Sequence, residues 1–253
     1  MDNTKTQPVI KSAREVEIMR QAGHIVAETL AVLADKVRPG ITTRELDDLT
    51  YRTLIKQGAT PSFKNYRGYP ASLCASINDE VVHGIPDRRA LKEGDIISLD
   101  VGAYYKGFHG DAAVTVPVGK ANARVLALLD ACQSGLAAAI AAARGGARLG
   151  DIGAAVQTSV EARGFSVVRK YTGHGVGRNL HEEPLVPNVG KPNTGMVLTP
   201  GMTLALEPMI NMGGWAVKEQ PNGWTVVTLD GSWSAHFEHT VAITEGEADI
   251  LTL

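Results

Sequence analysis

Five side chains of types that bind metal ions lie in apolar or glycine-rich segments of this 253-residue chain, and four of them are carboxylates. They are Asp100, Asp111, His174, Glu207 and Glu238. An ionised carboxylate that is removed from water is costly unless it is paired or coordinated. A fold that brings these segments together must therefore place a neutralising group among the carboxylates, and this requirement constrains the chain more than any other feature.

The two aspartates belong to a predicted β-hairpin. Its strands are residues 96–103 and 108–116. A two-residue loop at residues 105–106 would place Asp100 directly opposite Asp111, about 5 Å apart at Cβ. Like charges at this distance repel, so the pair requires either a proton or a cation. Gly107 also suits a three-residue loop with a bulge, which would shift the pairing by one residue. For this pair alone, two solvated carboxylates on an exposed face are the alternative.

The candidate histidine lies in a segment that glycine prevents from forming a helix. Residues 170–181 contain His174 and His181, seven positions apart, with three glycines close to His174. Seven positions would put both histidines on one helix face, but glycine disfavours a helix. We therefore expect His174 in a loop or at a strand end, where the backbone can approach a ligand or a metal.

Both glutamates belong to predicted strands. Glu207 follows the apolar run of residues 202–206. In residues 235–243, strand alternation places His236 and Glu238 on the same face. For each of these residues alone, a hydrogen-bonded polar side chain is the alternative. Taken together, the five residues favour a metal site.

The donor set favours two divalent cations over one. Structural zinc sites favour cysteine, and the chain has only Cys74 and Cys132, with no CxxC motif. One imidazole with four carboxylates carries too much negative charge for one divalent ion, but it suits two ions that share bridging carboxylates. Two ions about 3.5–4 Å apart hold a hydroxide and polarise a carbonyl, which is hydrolytic chemistry.

Helical periodicity is present in four segments, two in each half of the chain. They are residues 12–37, 43–56, 122–144 and 150–163. Ser12 and Glu15 form a capping-box pattern at the first of these helices. Two helices followed by strands occur twice, which is a faint internal duplication. These patterns alone predict a mixed domain of helices and strands, with a short tail at residues 1–10 and a single domain at residues 11–253.

Charge and hydropathy exclude several classes of protein. A net charge of −2 gives no electrostatic footprint for nucleic acid. Two distant cysteines indicate a reducing compartment, and the first residues lack the apolar core of a signal peptide. The nearest candidate for a membrane span, residues 125–143, is interrupted by Asp130, Gln133 and Ser134. The sequence therefore predicts a soluble cytoplasmic protein, a monomer without a membrane or nucleic-acid partner.

Several separated motifs together resemble type I methionine aminopeptidase, in the order and spacing of that family. They are residues 76–86 (SINDEVVHGIP), the hairpin with Asp100 and Asp111, residues 173–177 (GHGVG) with 181–184 (HEEP), residues 207–208 (EP) and residues 238–240 (EHT). The match extends from about Ile10 to the C-terminus. The resemblance implies an α+β pita-bread fold of the creatinase/aminopeptidase kind. Such a fold has two pseudo-symmetric halves, each with helices outside a curved antiparallel sheet, and a dinuclear metal centre between the halves.

The resemblance also implies a role for each candidate ligand. Asp100 and Asp111 would bind one metal, and His174 and Glu207 would bind the other. Asp111 and Glu238 would bridge both. Glu207 would also carry a proton from the bridging water. The sequence leaves the choice among Co, Mn, Fe and Zn open.

Two histidines and an aromatic pocket are implied to bind the substrate. His83 resembles the histidine that contacts the scissile nitrogen, and His181 the one that hydrogen-bonds the substrate carbonyl as it becomes an oxyanion. The pocket for the methionine side chain would be lined by Tyr66, Tyr69, Cys74 and Trp224. The alternatives are a surface loop for His83, an outer supporting position for His181, and a core role for Tyr66 and Trp224. The chain departs from the usual pattern at Phe63, Leu180 and His236, where relatives often have Cys, Phe and Gln.

The function implied is metal-dependent removal of the N-terminal (initiator) methionine from nascent proteins and peptides whose second residue is small. A transient contact with the ribosome is a further expectation. The strongest rival is an X-Pro aminopeptidase or prolidase-like hydrolase, which shares the fold and the ligand set but usually has an additional N-terminal domain. A non-catalytic binding protein on the same scaffold is a second rival, and a purely structural metal site is a third.

Overall fold

Four α-helices form around local capping signals in the computed structural model, which describes residues 7–253. They are α1 (Ala13–Lys36), α2 (Thr43–Lys56), α3 (Ala123–Ala142) and α4 (Leu149–Glu161). Ser12 caps α1 and forms the predicted capping box with Glu15. Thr42 and Glu45 repeat the capping box at α2. The predicted helices are confirmed, with boundaries within a few residues, because their start signals are local in sequence.

Fifteen strands accompany the helices in the described residues. They are β1 (Thr60–Pro61), β2 (Cys74–Ile77), β3 (Glu80–Val82), β4 (Ile96–Tyr105), β5 (Phe108–Pro117), β6 (Ser166–Val167), β7 (Gly173–Gly175), β8 (Glu182–Val186), β9 (Thr203–Leu206), β10 (Met209–Asn211), β11 (Val217–Glu219), β12 (Val226–Thr228), β13 (Ser234–His236), β14 (Glu238–Ala242) and β15 (Asp249–Ile250). A nine-stranded sheet has the order β1-β4-β5-β14-β9-β7-β8, with β2 paired to β4 and β15 to β14. Two three-stranded sheets, β13-β10-β6 and β11-β12-β3, complete the set. All the named pairings are antiparallel.

Each half of the chain packs a pair of helices on the sheet. In the first half, Leu33 of α1 and Leu54 of α2 share a buried cluster with Leu99 of β4. In the second half, Leu128 of α3 and Val156 of α4 pack with Leu204 of β9 and other strand residues. The strands that connect the two halves, β5 and β14, pair with each other. Each half of the sheet therefore packs against its own pair of helices, which follows the predicted duplication.

The predicted register of the β4–β5 hairpin is wrong. The turn is formed by Lys106 and Gly107, both with positive φ (48° and 91°), as a two-residue hairpin turn of the mirror-image type requires. Asp100 consequently lies opposite Ala113, and Asp111 lies opposite Gly102. The shift is by two residues, so both aspartates remain on one face as diagonal neighbours, and their predicted proximity survives the wrong register.

Alternation around Glu238 is interrupted. His236 ends β13, which pairs with β10, whereas Glu238 begins β14, which pairs with β5 and β9. His236 and Glu238 nevertheless approach each other, with 3.8 Å between Nε2 and Oε2. The predicted common orientation of the two side chains therefore holds across a break between two strands.

Helix α3 contains the apolar segment that is the nearest candidate for a membrane span in the sequence. Within residues 7–253, this one helix is long and apolar enough to cross a membrane by length and composition. In the fold, its residues Val125, Leu129, Cys132 and Leu136 are buried in the cluster shared with α4 and the sheet. A core helix of a folded domain has the same composition, and this packing accounts for the apolar character of α3.

Candidate metal centre

Three strands at the middle of the nine-stranded sheet bring together a group of potential metal ligands. Asp111 on β5, His174 on β7 and Glu238 at the start of β14 each offer one ligand atom, and these atoms all lie within 4.8 Å of one another. All three residues are buried. Their strands are joined through β9, which pairs with both β7 and β14.

The two remaining predicted ligands lie beside this group. Glu207 directly follows β9, and its Oε1 is 3.5 Å from Nε2 of His174. Asp100 lies on β4, on the same face of the sheet as Asp111. Burial, followed by the negative charge of Asp100, raises the pKa of Glu207 well above its ordinary value. The charges of neighbouring carboxyl groups raise the pKa values of Asp111, Glu207 and Glu238, and Nε2 of His174 lies within 4 Å of two of these groups.

The carboxylates of the cluster lack the partners that buried anions require. Within residues 7–253, Asp100 Oδ1, Asp111 Oδ1 and Glu238 Oε1 are buried without a hydrogen-bond partner. Burial raises the pKa of Asp100 to about 7. Burial and the charge of Asp100 raise the pKa of Asp111, while burial and the charges of Asp111 and Glu207 raise that of Glu238. Protons or cations must neutralise such a group, and oxygen donors with one imidazole fit hard or borderline divalent cations.

His174 is oriented as a metal ligand would be. Its Nδ1 is 2.8 Å from the carbonyl oxygen of Gly175, which can only accept a hydrogen bond. Nδ1 therefore carries the proton, and Nε2 keeps its lone pair on the side of Glu207 and Asp111. Burial lowers the pKa of His174 to about 4, so the ring is neutral at pH 7.

A cavity of about 140 Å³ adjoins the cluster and contains every predicted site residue in its lining. The lining consists of Phe63, Tyr66, Arg67, Tyr69, Cys74, His83, Asp100, Asp111, His174, Leu180, His181, Glu207, Trp224 and Glu238. One wall is the carboxylate cluster. Another part of the lining is an apolar group in which Phe63, Tyr69, Cys74 and Leu180 are buried, with Trp224 packed against it. The cavity can thus hold an apolar side chain next to a metal centre.

The two predicted substrate-binding histidines lie on different parts of the wall. His83 has a positive φ of 58° and packs edge-to-face against Trp224, with 6.3 Å between ring centroids. Burial lowers the pKa of His83 to about 4. His181 is exposed at the mouth, stacked on Tyr66, with its ring centroid 4.2 Å from that of His174.

Two residues near the site were given no role by the sequence. Nε2 of the buried His236 is 3.8 Å from oxygens of both Glu207 and Glu238. Arg67 lines the cavity with its guanidinium over the ring of Tyr66. The spacing of His236, two residues before Glu238, was a sequence signal that could have placed it at the site. For Arg67, the only such signal was the adjacent Tyr66.

Comparison with known proteins agrees with this geometry. The family model described as Metallopeptidase family M24 matches residues 17–245. The chain belongs to this family. M24 relatives include methionine aminopeptidase 1 of Bacillus subtilis, 52% identical over 96% of this chain and 98% of the relative. Methionine aminopeptidase of Clostridium perfringens is 50% identical over 97% of this chain and 98% of the relative.

Solved structures confirm the fold of the M24 chain. Methionine aminopeptidase of Thermotoga maritima superposes with a TM-score of 0.96 at 48% identity, covering 97% of this chain and 99% of that one. A prolidase from Pyrococcus furiosus has a TM-score of 0.79 at 22% identity, which shows the shared fold alone. The predicted resemblance, the pita-bread fold class and the assignment to the metallo-exopeptidase hydrolases are therefore confirmed. The specific roles of the site residues, and the division into a tail and one domain, stay predictions.

Proposed function

We propose that this chain releases the N-terminal methionine from polypeptides and peptides whose second residue is small. The observation that carries the proposal is the cavity in which an aromatic and thiol-lined pocket adjoins the carboxylate cluster. An exopeptidase needs both parts, one to select the first side chain and one to activate the first peptide bond. Relatives named methionine aminopeptidase, which match over nearly their whole length, support methionine as the first residue of the substrate.

The cluster residues would hold two divalent cations. In this proposal Asp100 and Asp111 would hold one cation, His174 and Glu207 would hold the other, and Asp111 and Glu238 would be shared by the two. The candidate ions are Co, Mn, Fe and Zn. When bound, such a pair activates water and polarises the peptide carbonyl.

Two histidines would act on the peptide bond itself. The hydroxyl of Tyr66 lies 2.9 Å from Nδ1 of His181, and in this proposal it donates to Nδ1, so that the proton of the neutral ring is on Nε2. An Nε2–H donor suits the carbonyl oxygen as it gains negative charge. His83, neutral at pH 7, can hydrogen-bond the nitrogen of the scissile bond. Glu207 would carry the proton that the attacking water loses to the departing amine.

The methionine side chain would occupy the apolar wall. Tyr69 is fixed there because its hydroxyl lies 3.0 Å from the carbonyl oxygen of Leu73 and 2.8 Å from that of Gly84. Its ring meets Trp224 edge-to-face at 5.1 Å between centroids. Aromatic rings and the neighbouring Cys74 form a polarisable surface that suits a thioether. The substrates would be nascent chains, with a transient ribosome contact, and the enzyme would act as a cytoplasmic monomer with residues 11–253 as a single catalytic domain.

The substrate assignment predicts a clear difference between two peptides. Met-Ala-Ser should be cleaved to free methionine in the presence of a divalent cation, and an X-Pro peptide such as Ala-Pro-Ser should not. A chelator should abolish the release, and added Mn²⁺ or Co²⁺ should restore it. Chromatographic detection of free amino acids checks the result. Cleavage of the X-Pro peptide alone would support the prolidase alternative, and peptide binding that resists the chelator without turnover would support a non-catalytic protein.

His83→Gln should separate the chemical step from metal binding. Loss of a group that transfers or donates a proton to the reacting atoms costs about 10²- to 10⁴-fold in rate. We expect kcat to fall within this range while the stoichiometry of metal binding, measured by calorimetry, is unchanged. His24→Gln is the matched control, because His24 is exposed on α1 and lies outside the cavity lining. A variant at His83 with an unchanged kcat would remove this residue from the mechanism.

A further inference from the structure

A buried ion pair outside the metal centre joins the start of the described chain to the segment that carries His181. Nζ of Lys11 lies 2.5 Å from Oε2 of Glu182, and the two side chains are only 3% and 7% exposed. Glu182 is the first residue of β8 and directly follows His181. Removing two charges from water costs free energy that their attraction often does not repay, so this ion pair is not explained by its contribution to stability alone.

Both charged groups are also hydrogen-bonded to the backbone around them. Oε1 of Glu182 accepts a hydrogen bond from the backbone N–H of Asn179 at 3.1 Å. Nζ of Lys11 donates to the carbonyl oxygen of Val9 at 3.1 Å, and the backbone N–H of Lys11 donates to the carbonyl oxygen of Gly201 at 2.8 Å. The carboxylate therefore closes the turn of residues 179–182, and the ammonium fixes that turn to an anchored part of the chain.

The space around the ion pair allows little adjustment. A Cβ atom on Gly177 would lie 2.5 Å from Cε of Lys11 and 2.7 Å from Oε1 of Glu182. Gly177 also accepts a hydrogen bond at its carbonyl oxygen from the N–H of His109, on β5 beside the candidate ligand Asp111. The turn is thus packed between the ion pair and the strand that contributes to the metal centre.

His181 contacts Tyr66 and His174 through its ring. The residue is exposed, its ring stacks on Tyr66 with Nδ1 2.9 Å from the Tyr66 hydroxyl, and its centroid lies 4.2 Å from that of His174. These contacts orient the ring, whereas the position of the His181 backbone depends on the turn that ends at Glu182. If Lys11 were neutral, the buried carboxylate of Glu182 would have to reach water, and His181 would move with it.

We propose that Lys11 is a positioning residue, which holds His181 over the metal centre through the buried ion pair with Glu182. This inference rests on the proposed function for its effect on turnover, since His181 acts there on the substrate carbonyl. Displacement of a catalytic group by about 1 Å costs about 10²-fold in rate. Lys11 is absent from the cavity lining and therefore acts only through the turn.

The test compares Lys11→Met, Glu182→Gln and the double variant Lys11→Met/Glu182→Gln with the parent chain. Lys11→Met should lower kcat for Met-Ala-Ser about 10²-fold, with metal stoichiometry unchanged by calorimetry. The double variant should regain only part of this loss, because it leaves no unpaired buried charge but also lacks the ion pair. A double variant with the kcat of the parent chain would overturn the proposal, since turnover would then not require the ion pair. If Lys11→Met fails to fold, the double variant and Lys11→Arg replace it in the comparison of kcat. Lys11→Arg keeps the positive charge and should retain most of the rate.

Hydrogen exchange measured by mass spectrometry supplies a readout that does not depend on activity. Backbone amides of residues 176–183 should exchange faster in Lys11→Met than in the parent chain, and the double variant should restore part of the protection. Lys120→Met, which changes an exposed lysine, is the matched control and should alter neither exchange nor kcat. Unchanged exchange at residues 176–183 in Lys11→Met would refute the positioning role. Absence of methionine release by the parent chain would instead refute the proposed function and leave the exchange result valid.

Discussion

Asp111→Asn should abolish metal-dependent methionine release while leaving the metal-free protein folded. Asp111 lies at the middle of the cluster, buried, with Oδ1 unpartnered among residues 7–253. Loss of an outer partner of a metal ligand already costs about 10- to 100-fold in affinity or activity, so loss of a charged bridging ligand should cost more than about 100-fold. Calorimetric titration with Mn²⁺ and the Met-Ala-Ser assay measure the two effects.

The same substitution should not destabilise the metal-free chain. An amide of the same shape removes one negative charge from a group of like charges, and this offsets the change in hydrogen bonding. We expect the free energy of unfolding in urea with chelator at pH 7.5 to be as high as in the parent chain or higher. Asp48→Asn is the control, since Asp48 is an exposed carboxylate on α2. Undiminished Mn²⁺ affinity in Asp111→Asn would contradict the assignment of this centre.

Above about pH 6.5, the stability of the metal-free protein should fall as the pH rises. The pKa of Asp100 is raised to about 7, and the pKa values of Asp111, Glu207 and Glu238 are raised well above their ordinary values. The folded carboxyl groups therefore retain protons that the unfolded chain has released. The resulting stabilisation is fully present below the carboxyl pKa values of the unfolded chain, which are near 4. It is lost as the pH rises through the carboxyl pKa values of the folded protein. Each excess proton corresponds to about 1.4 kcal/mol per pH unit.

Histidines set the lower limit of this pH window. Burial lowers the pKa of His83 and His174 to about 4 and that of His236 to about 3. Their unfolded forms bind protons below about pH 6.5, so their contribution to stability rises with pH up to that value and opposes the carboxyl groups. Above it, the carboxyl groups lower the stability as the pH rises, and towards pH 8.5 the buried thiols of Cys74 and Cys132, whose pKa values are raised by burial, act in the same direction.

Urea unfolding at pH 6.5, 7.5 and 8.5 measures this dependence, with chelator and with excess Mn²⁺. With chelator, the free energy of unfolding should decline across the three values. With Mn²⁺ it should be higher and should decline less, because the cation binds the ionised carboxylates and only in the folded state. Identical pH profiles in chelator and in Mn²⁺ would mean that the carboxylates do not share a cation.

Local sequence signals specified the helices well. The start of α1 depends on Ser12 and Glu15, and that of α2 on Thr42 and Glu45, in both cases residues three positions apart that bond each other's backbone. Such signals need no tertiary context. The hairpin register was predicted less well, because several short turns are compatible with the residues around Gly107. Its positive φ, together with that of Lys106, became known only from the structure.

By itself, the sequence determined the helix limits, the set of candidate metal-binding side chains and the family, because these depend on residue types and on spacings along the chain. Only the tertiary structure decided that Asp100 faces Ala113, that His236 approaches Glu207 and that Lys11 pairs with Glu182. The last two contacts join residues 29 and 171 positions apart. Their formation depends on the packing of whole strands and on the cost of burying a charge without a partner, neither of which is visible in a local pattern.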